Sequence, residues 1–341
     1  MYTLDYSKKE IGRAGERIVS CVTNNENLDE SDLDKLHAWR MLHLYPLNRL
    51  KFYLGREAMV VDKKMLMSSR IKRLPSIINK LQRFPEMKLH KMQDLGGCRV
   101  ILSNIEQVYS LEKKIKKLKF KHELVRTDDY MVNVKESGYR SLHMIYSFKN
   151  DKHESLNGLR VEMQLRTAIQ HSWATAVEMV GLFRKESLKS GQGDQSWLYF
   201  FQLVSDLFYR IESGNIIGRY NSISTELKVL SEKLNVFENL TAYNKFISHI
   251  EQSEKLKEDP DGLFIIIVDT NIKQITINNF TSQNHKAAAK SYKEAEKYCA
   301  ENNGCEVAMV SVSDINDLRN AYPAYFLDTK TFLNNLGRFL F

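Results

Sequence analysis

The stretch LRVEMQLRT at residues 159–167 alternates: Val161, Met163 and Leu165 fall on one side, and Arg160, Glu162, Gln164 and Arg166 on the other. A period of two is that of a strand with one buried face. The polar face carries a carboxylate, an amide and two guanidiniums. Such a set serves either as an ion-pair ladder on a wet sheet face or as the floor of a site. A second carboxylate, Asp94, opens DLGGCRVIL, where Gly96 and Gly97 let the backbone turn tightly or approach a ligand closely. With the two strands side by side, Asp94 and Glu162 would meet on one face. Two carboxylates completed by waters and phosphate oxygens form the usual Mg2+ site of phosphoryl-transfer chemistry. Asp94 taken alone reads equally as a turn residue between helix and strand.

Cations are arranged to suit. In SSRIKRLPSIINKLQRF, Pro75 belongs at a helix start, since it lacks an N–H and clashes one turn back in an interior. From there Ile77, Ile78 and Leu81 face inward while Ser76, Lys80 and Arg83 share the other face. Arg70, Lys72 and Arg73 precede the helix N-terminus, whose free N–H groups favour an anion. Five cations gathered there suit phosphates, or else form a solvated basic face. In KESGYRSLH, Tyr139 beside Lys135 and Arg140, with His143 following, suits a purine base carrying phosphates; Tyr139 and His143 as core residues is the plainer alternative.

These residues need elements to hold them. CRVIL, SLHMIYSF and LRVEMQLRT read as strands, FKHELVRTDDYMV as a further strand pair or hairpin arm, and AIQHSWATAVEMVGLFRK and SWLYFFQLVSDLFYRI as amphipathic helices closing the sheet. Residues 1–66 read as an N-terminal helical segment, 67–215 as a mixed helix and strand domain, 216–257 as a helical connector, and 258–341 as a small C-terminal α/β unit set off by EDPDG. In that last unit LFIIIVD and KQITINNF read as a hairpin, HKAAAKSYKEAEKYCAEN as a helix, EVAMVSVS as a strand and the remainder as helices. It holds no constellation that translates into chemistry.

The chain has 341 residues, 43% hydrophobic and 27% charged, which is the composition of a soluble globular protein of two or three domains. No apolar run reaches the roughly 18 residues of a membrane span, and the charged N-terminus lacks an apolar signal core. Cys21, Cys98, Cys299 and Cys305 are scattered without a CxxC, which argues against structural zinc or a disulfide framework and for a cytoplasmic protein. The net charge is +8, yet residues 63–126 hold 17 Lys/Arg against 5 Asp/Glu, a local excess that favours phosphate-bearing partners.

RIK followed by SIINKLQR, DLGGCRVI, GYRSLH and VEMQLRT, in this order over residues 65–215, resemble the synthetase domain of the RelA/SpoT alarmone synthetases. The resemblance implies an α+β fold with a nucleotidyltransferase-like mixed β-sheet flanked by helices. It implies an ATP-dependent 3′-pyrophosphokinase that moves the β,γ-pyrophosphate of ATP to the 3′-OH of GDP or GTP, giving (p)ppGpp and AMP. By position, Arg70, Lys72, Lys80 and Arg83 would clamp the ATP phosphates, with Arg99 beside them. Asp94 and Glu162 would hold Mg2+, with Glu162 also taking the proton of the attacking hydroxyl. Tyr139 would stack on the acceptor base, and Lys135, His143, Gln164 and Arg166 would line the acceptor side.

The long members of that family carry a hydrolase with paired His-Asp ligands. Upstream of residue 65 only His37 and His43 occur, neither followed by Asp, so synthesis without hydrolysis is expected. Two further readings stand beside it. A toxic branch of the family modifies the tRNA 3′ end or adenine nucleotides, and a run of Lys113, Lys114, Lys116, Lys117, Lys119 and Lys121 would then form a phosphate-backbone surface beside the site. The same run reads otherwise as a solvated helix face. In that branch the C-terminal unit would act, by analogy, as a built-in inhibitor or partner sensor. The third reading is a non-catalytic nucleotide-binding regulator. Expected partners are ATP and GDP or GTP, tRNA in the alternative, and a second copy of the chain; no membrane is expected.

Overall fold

The structure, a computed structural model, describes residues 5–184, 186–214, 220–244, 249–252, 259, 262–302, 304–312, 315–326 and 328–340. Three helices open the chain: α1 (Lys8–Thr23), α2 (Glu30–Leu42) and α3 (Leu44–Val61). The start of α1 is fixed by a reciprocal cap, in which Ser7 N–H donates to Glu10 Oε2 at 2.7 Å and Glu10 N–H to Ser7 Oγ at 3.2 Å. There follow β1 (Leu66–Ile71), α4 (Leu74–Arg83), β2 (Gly96–Leu102), α5 (Ile105–Lys116), β3 (Glu123–Asp129), β4 (Leu142–Ser147) and β5 (Arg160–Thr167). Helices α6 (Ala168–Arg184), α7 (Gln195–Glu212), α8 (Tyr220–Lys233) and α9 (Val236–Asn244) come next. The chain closes with β6 (His249–Gln252), β7 (Leu263–Asp269), β8 (Gln274–Phe280), α10 (His285–Glu301), β9 (Cys305–Ser311), α11 (Ile315–Ala321) and α12 (Lys330–Leu340).

Among the described residues, nine strands form one mixed sheet in the order β3-β4-β5-β2-β1-β9-β7-β8-β6. Strands β2 and β5 run parallel, with Gly97 opposite Glu162 and Arg99 opposite Gln164. Thus the strand opened by Asp94 does lie beside the one carrying Glu162. The inward face of β5, Val161, Met163 and Leu165, is fully buried in a core shared with α1, α2, α3 and α5. Each such side chain contributes about 1.5–3 kcal/mol. Helices α6, α7, α8, α9 and α12 enclose a second core around Trp173, Phe200, Phe201 and Phe332.

A mixed sheet flanked by helices is the expected fold class, and several elements differ in detail. Of the two readings of FKHELVRTDDYMV the hairpin arm holds: it supplies one strand, β3, paired antiparallel with β4, and not a strand pair of its own. The segment expected as a purely helical connector also contributes the edge strand β6, parallel to β8. The strands after residue 262 continue the same sheet: β9 pairs with β1 at Ser69–Ser311 and Arg70–Val310. Cys299 and Cys305, expected as free thiols, are joined in a disulfide, because the end of α10 and the start of β9 bring their Cα atoms to 4.8 Å.

Candidate active site

A cleft of about 1580 Å3 opens on the sheet face opposite α3 and α5. Strand β1 delivers Arg70 to it, and Lys72 and Arg73 follow before α4 begins. As the spacing requires, α4 buries Ile77, Ile78 and Leu81 and turns Ser76, Lys80 and Arg83 to the cleft. Lys72 Nζ and Lys80 Nζ each stand 2.9 Å from Asp94 Oδ2. Burial would raise the Asp94 pKa, but the two ammonium groups outweigh it and hold the carboxyl below its usual range. Burial conversely lowers the Lys72 pKa, only partly offset by Asp94. The other carboxylate oxygen, Asp94 Oδ1, is buried with no hydrogen-bond partner among the described residues.

Glu162 is the centre of a second network. Its Oε1 lies 2.8 Å from His143 Nδ1, and its Oε2 accepts from Gln164 Nε2 at 2.6 Å. His143 Nε2 lies 3.0 Å from the Tyr139 hydroxyl, and Arg99 Nε donates to Gln164 Oε1 at 3.4 Å. Burial opposes charge on Glu162, yet His143 and Gln164 overcome it, so the carboxyl titrates far below its ordinary value. Burial also opposes charge on His143, where Tyr139 and Glu162 win and raise its pKa. The chain Tyr139–His143–Glu162–Gln164–Arg99 therefore holds Glu162 ionised beside a charged His143.

Of the expected phosphate-side residues, Arg70, Lys72, Lys80, Arg83 and Arg99 all line the cleft, as do Asp94 and Glu162. On the acceptor side Lys135, Tyr139, His143 and Gln164 line it too. Two placements differ from expectation. Tyr139 is only 4% exposed, its ring edge-on to Tyr130 and tilted against Trp173, so its face is packed rather than open. Lys135 Nζ lies over the Tyr130 ring at 4.1 Å and over the Tyr139 ring at 5.2 Å. Arg166 is 2% exposed and sits behind the cleft wall, where Nη2 bonds to His171 Nδ1. The alternation ends there because β5 passes directly into α6, which covers the last residues of the strand.

The lysine run also lies elsewhere than expected. Helix α5 packs Val108, Leu111 and Ile115 against the sheet face opposite the cleft, so Lys113, Lys114, Lys116 and Lys117 do not border it. Three of them stand in the last turn of α5, where cations favour the helix dipole, and Lys116 pairs with Glu112 at 2.6 Å.

Several cleft residues carry no motif. Glu178 of α6 pairs with Lys189; its carboxyl is held low because Lys189, Arg70 and Arg99 outweigh burial. Its one signal in the sequence is that it is the lone carboxylate of α6. From the C-terminal strands and helices, Glu306 pairs with Arg73, and Glu296 Oε1 accepts from Leu74 N–H at 3.2 Å, at the start of α4. The Tyr322 and Tyr325 rings lie 5.7 Å and 5.9 Å from the guanidiniums of Arg99 and Arg73. A protein carboxylate thus already stands at the helix end where an anion site was expected.

A sheet-floored cleft with two carboxylates and a wall of cations has the chemistry that suits phosphate-bearing ligands. Residues 69–184 match the family model described as a region found in RelA / SpoT proteins. Among curated relatives, the GTP pyrophosphokinase YwaC of Bacillus subtilis (strain 168) is 34% identical over 116 residues, 31% of this chain and 53% of that protein. The GTP pyrophosphokinase YjbM of the same organism is 29% identical over 110 residues, 32% of this chain and 52% of that one. The chain spans about half the length of these relatives. Among solved structures, the small alarmone synthetase 1 from Bacillus subtilis bound to its product pppGpp overlaps with a TM-score of 0.43 at 22% identity, covering 50% of this chain and 89% of that one.

Proposed function

We propose that the protein is an ATP-dependent pyrophosphokinase that makes (p)ppGpp from GDP or GTP in the cytoplasm. The observation that carries this reading is the pairing in one cleft of Asp94, clamped by Lys72 and Lys80, with Glu162, held ionised by His143. The 3′-oxygen of the acceptor ribose attacks the β-phosphorus of ATP, the bond to the α-phosphate oxygen breaks, and AMP leaves. Arg70, Lys72, Lys80, Arg83 and Arg99 offset the phosphate charge, and positioning and charge neutralisation supply most of such catalysis.

The donor set fits a hard divalent cation: Asp94 Oδ1 is a buried carboxylate oxygen without a hydrogen-bond partner among the described residues, and Glu162 keeps lone pairs beyond its two hydrogen bonds. Asp94 and Glu162 would hold Mg2+, which when bound neutralises phosphate charge. Glu162 accepts the hydroxyl proton, with His143 holding it in place. Lys135 and Gln164 face the acceptor; Arg166 contributes its positive charge from behind the wall, and Tyr139 acts through His143.

The test offers γ-radiolabelled ATP and Mg2+ to the purified protein with GDP, GTP, ATP or deacylated tRNA separately. Label in a guanosine tetra- or pentaphosphate is expected. Label on tRNA would replace the acceptor and make the protein a translation-blocking toxin. No transfer with nucleotide still bound would make it a non-catalytic regulator.

A further inference from the structure

Cys299 lies in the last turn of α10 and Cys305 is the first residue of β9, six positions on, with Cα atoms 4.8 Å apart. That separation is within the range a disulfide spans. Both residues are partly exposed and line the cleft, so a small disulfide in solution can reach them. Each also adjoins a carboxylate that holds the phosphate-side wall. Glu306, next to Cys305, pairs with Arg73. Glu296, one turn before Cys299 on the same helix face, accepts from Leu74 N–H and from Arg40.

We propose that Cys299 and Cys305 are a redox-modifiable pair whose disulfide seats Glu306 and Glu296 on the wall of the nucleotide cleft, and whose reduction loosens that seat. This rests on the nucleotide reading for its consequence, though not for the chemistry at sulfur. In the oxidising direction one thiolate attacks a low-molecular-weight disulfide and releases one thiol, forming a mixed disulfide. The second thiolate then attacks the protein sulfur of that intermediate and releases the second thiol. Two protein thiols are oxidised, one small disulfide is reduced to two thiols, and the two cysteine protons end on those released thiols.

Gly304 adopts φ +90°, where a Cβ would stand 2.5 Å from Thr270 Oγ1, and its carbonyl accepts from Thr270 N–H at 2.9 Å and Thr270 Oγ1 at 2.7 Å. Strand β9 keeps its ladder with β7 through Asp269–Cys305. Loss of the sulfur link thus removes one restraint on Glu306 and on the end of α10 that carries Glu296, while the ladder and the Arg40 bonds to Glu296 remain. Of the other cysteines, Cys98 is buried, with its thiol pushed up to about 12 by that burial, and Cys21 belongs to α1. Paired thiols in a cytoplasmic protein are usually transient or redox-sensing, which agrees with this role.

The experiment uses the full chain and a Cys299→Ser/Cys305→Ser variant, each equilibrated in glutathione buffers from reducing to oxidising. Alkylation and peptide mass mapping read the link, hydrogen exchange reads the Leu74 amide, and titration with a non-hydrolysable ATP analogue reads the cleft. The expected result is a 299–305 link in oxidising buffer, faster Leu74 exchange on reduction, and analogue affinity raised by roughly two- to fivefold, the scale of a partly exposed ion pair. The serine variant should behave as the reduced protein in every buffer. Absence of the linked peptide under oxidising conditions, or a link with Leu74 exchange identical to the reduced form, overturns the proposal. Redox-dependent exchange with no analogue binding in either state would support the pair and overturn the nucleotide reading instead.

Discussion

At the scale of single residues, Glu162 joins the two halves of the cleft: its carboxylate is bonded to His143 and Gln164, and its charge is felt at Asp94. Glu162→Gln keeps the shape and removes both the proposed proton acceptor and the charge proposed to hold the metal. Transfer should fall by roughly 100- to 10,000-fold, the usual weight of a proton-transfer group. The melting temperature should stay near that of the parent. Because Glu162 helps raise the His143 pKa, the imidazole should titrate at lower pH in the variant, which NMR can follow. Substantial transfer by the variant would remove Glu162 from its role. Glu162 and Gln164 were legible because a period of two puts residues of one parity on one face. Arg166 obeys the same parity and still misses the cleft, since no local pattern reveals that α6 folds over the strand end.

At the scale of elements, β1 shows how a strand escapes notice. Its sequence LMSSRI places Ser68 and Ser69 in buried positions, so two of the three buried residues of the strand give no hydrophobic signal. Yet this strand carries Arg70 and joins β2 to β9. Helix α4, by contrast, was readable from Pro75 and its apolar spacing. What no spacing could reveal is how α10 docks, because its anchor, Arg40 of α2, is 256 residues away. Arg40 Nη1 and Nη2 bond the Glu296 carboxylate at 2.8 Å and 3.0 Å, and Nη2 also meets the Tyr292 hydroxyl at 3.0 Å. Burial disfavours the Arg40 charge, but Glu296 and Tyr292 overcome it. Arg40→Met alone strands the Glu296 charge and should lower stability by about 3–5 kcal/mol in denaturant titration. Arg40→Met with Glu296→Leu should recover more than half of that loss. A double variant as unstable as the single one would show that packing, not the stranded charge, sets the cost.

At the scale of the whole molecule, helices far apart in sequence close over one sheet, and the closure buries histidines that stay neutral. His37 and His43 are held near 4, His37 by burial and the nearby Arg40 charge and His43 by burial against a bond to the Trp39 carbonyl. His171 is held well below its ordinary value by burial beside Arg166. None of this shows in the sequence, where a histidine's surroundings depend on segments up to hundreds of residues away; Asn320 O, for instance, lies 3.2 Å from His171 Nε2. The sign follows from the depressed values. Stability from these groups is fully present above the unfolded pKa of about 6.5 and is lost as pH falls toward 4, since the unfolded chain binds the protons first. Each histidine removes up to about 1.4 kcal/mol per pH unit in that window. Asp94 and Glu162, held low by their partners, extend the same loss further into acid. Melting temperature should therefore drop steadily from pH 6.5 to 4. His43→Gln should start lower at neutral pH, having lost the packing of His43 against Trp39, and fall less steeply. A variant with the parent's slope would mean that His43 already carries its proton in the folded protein, and that the N-terminal helices are open to water where the structure closes them.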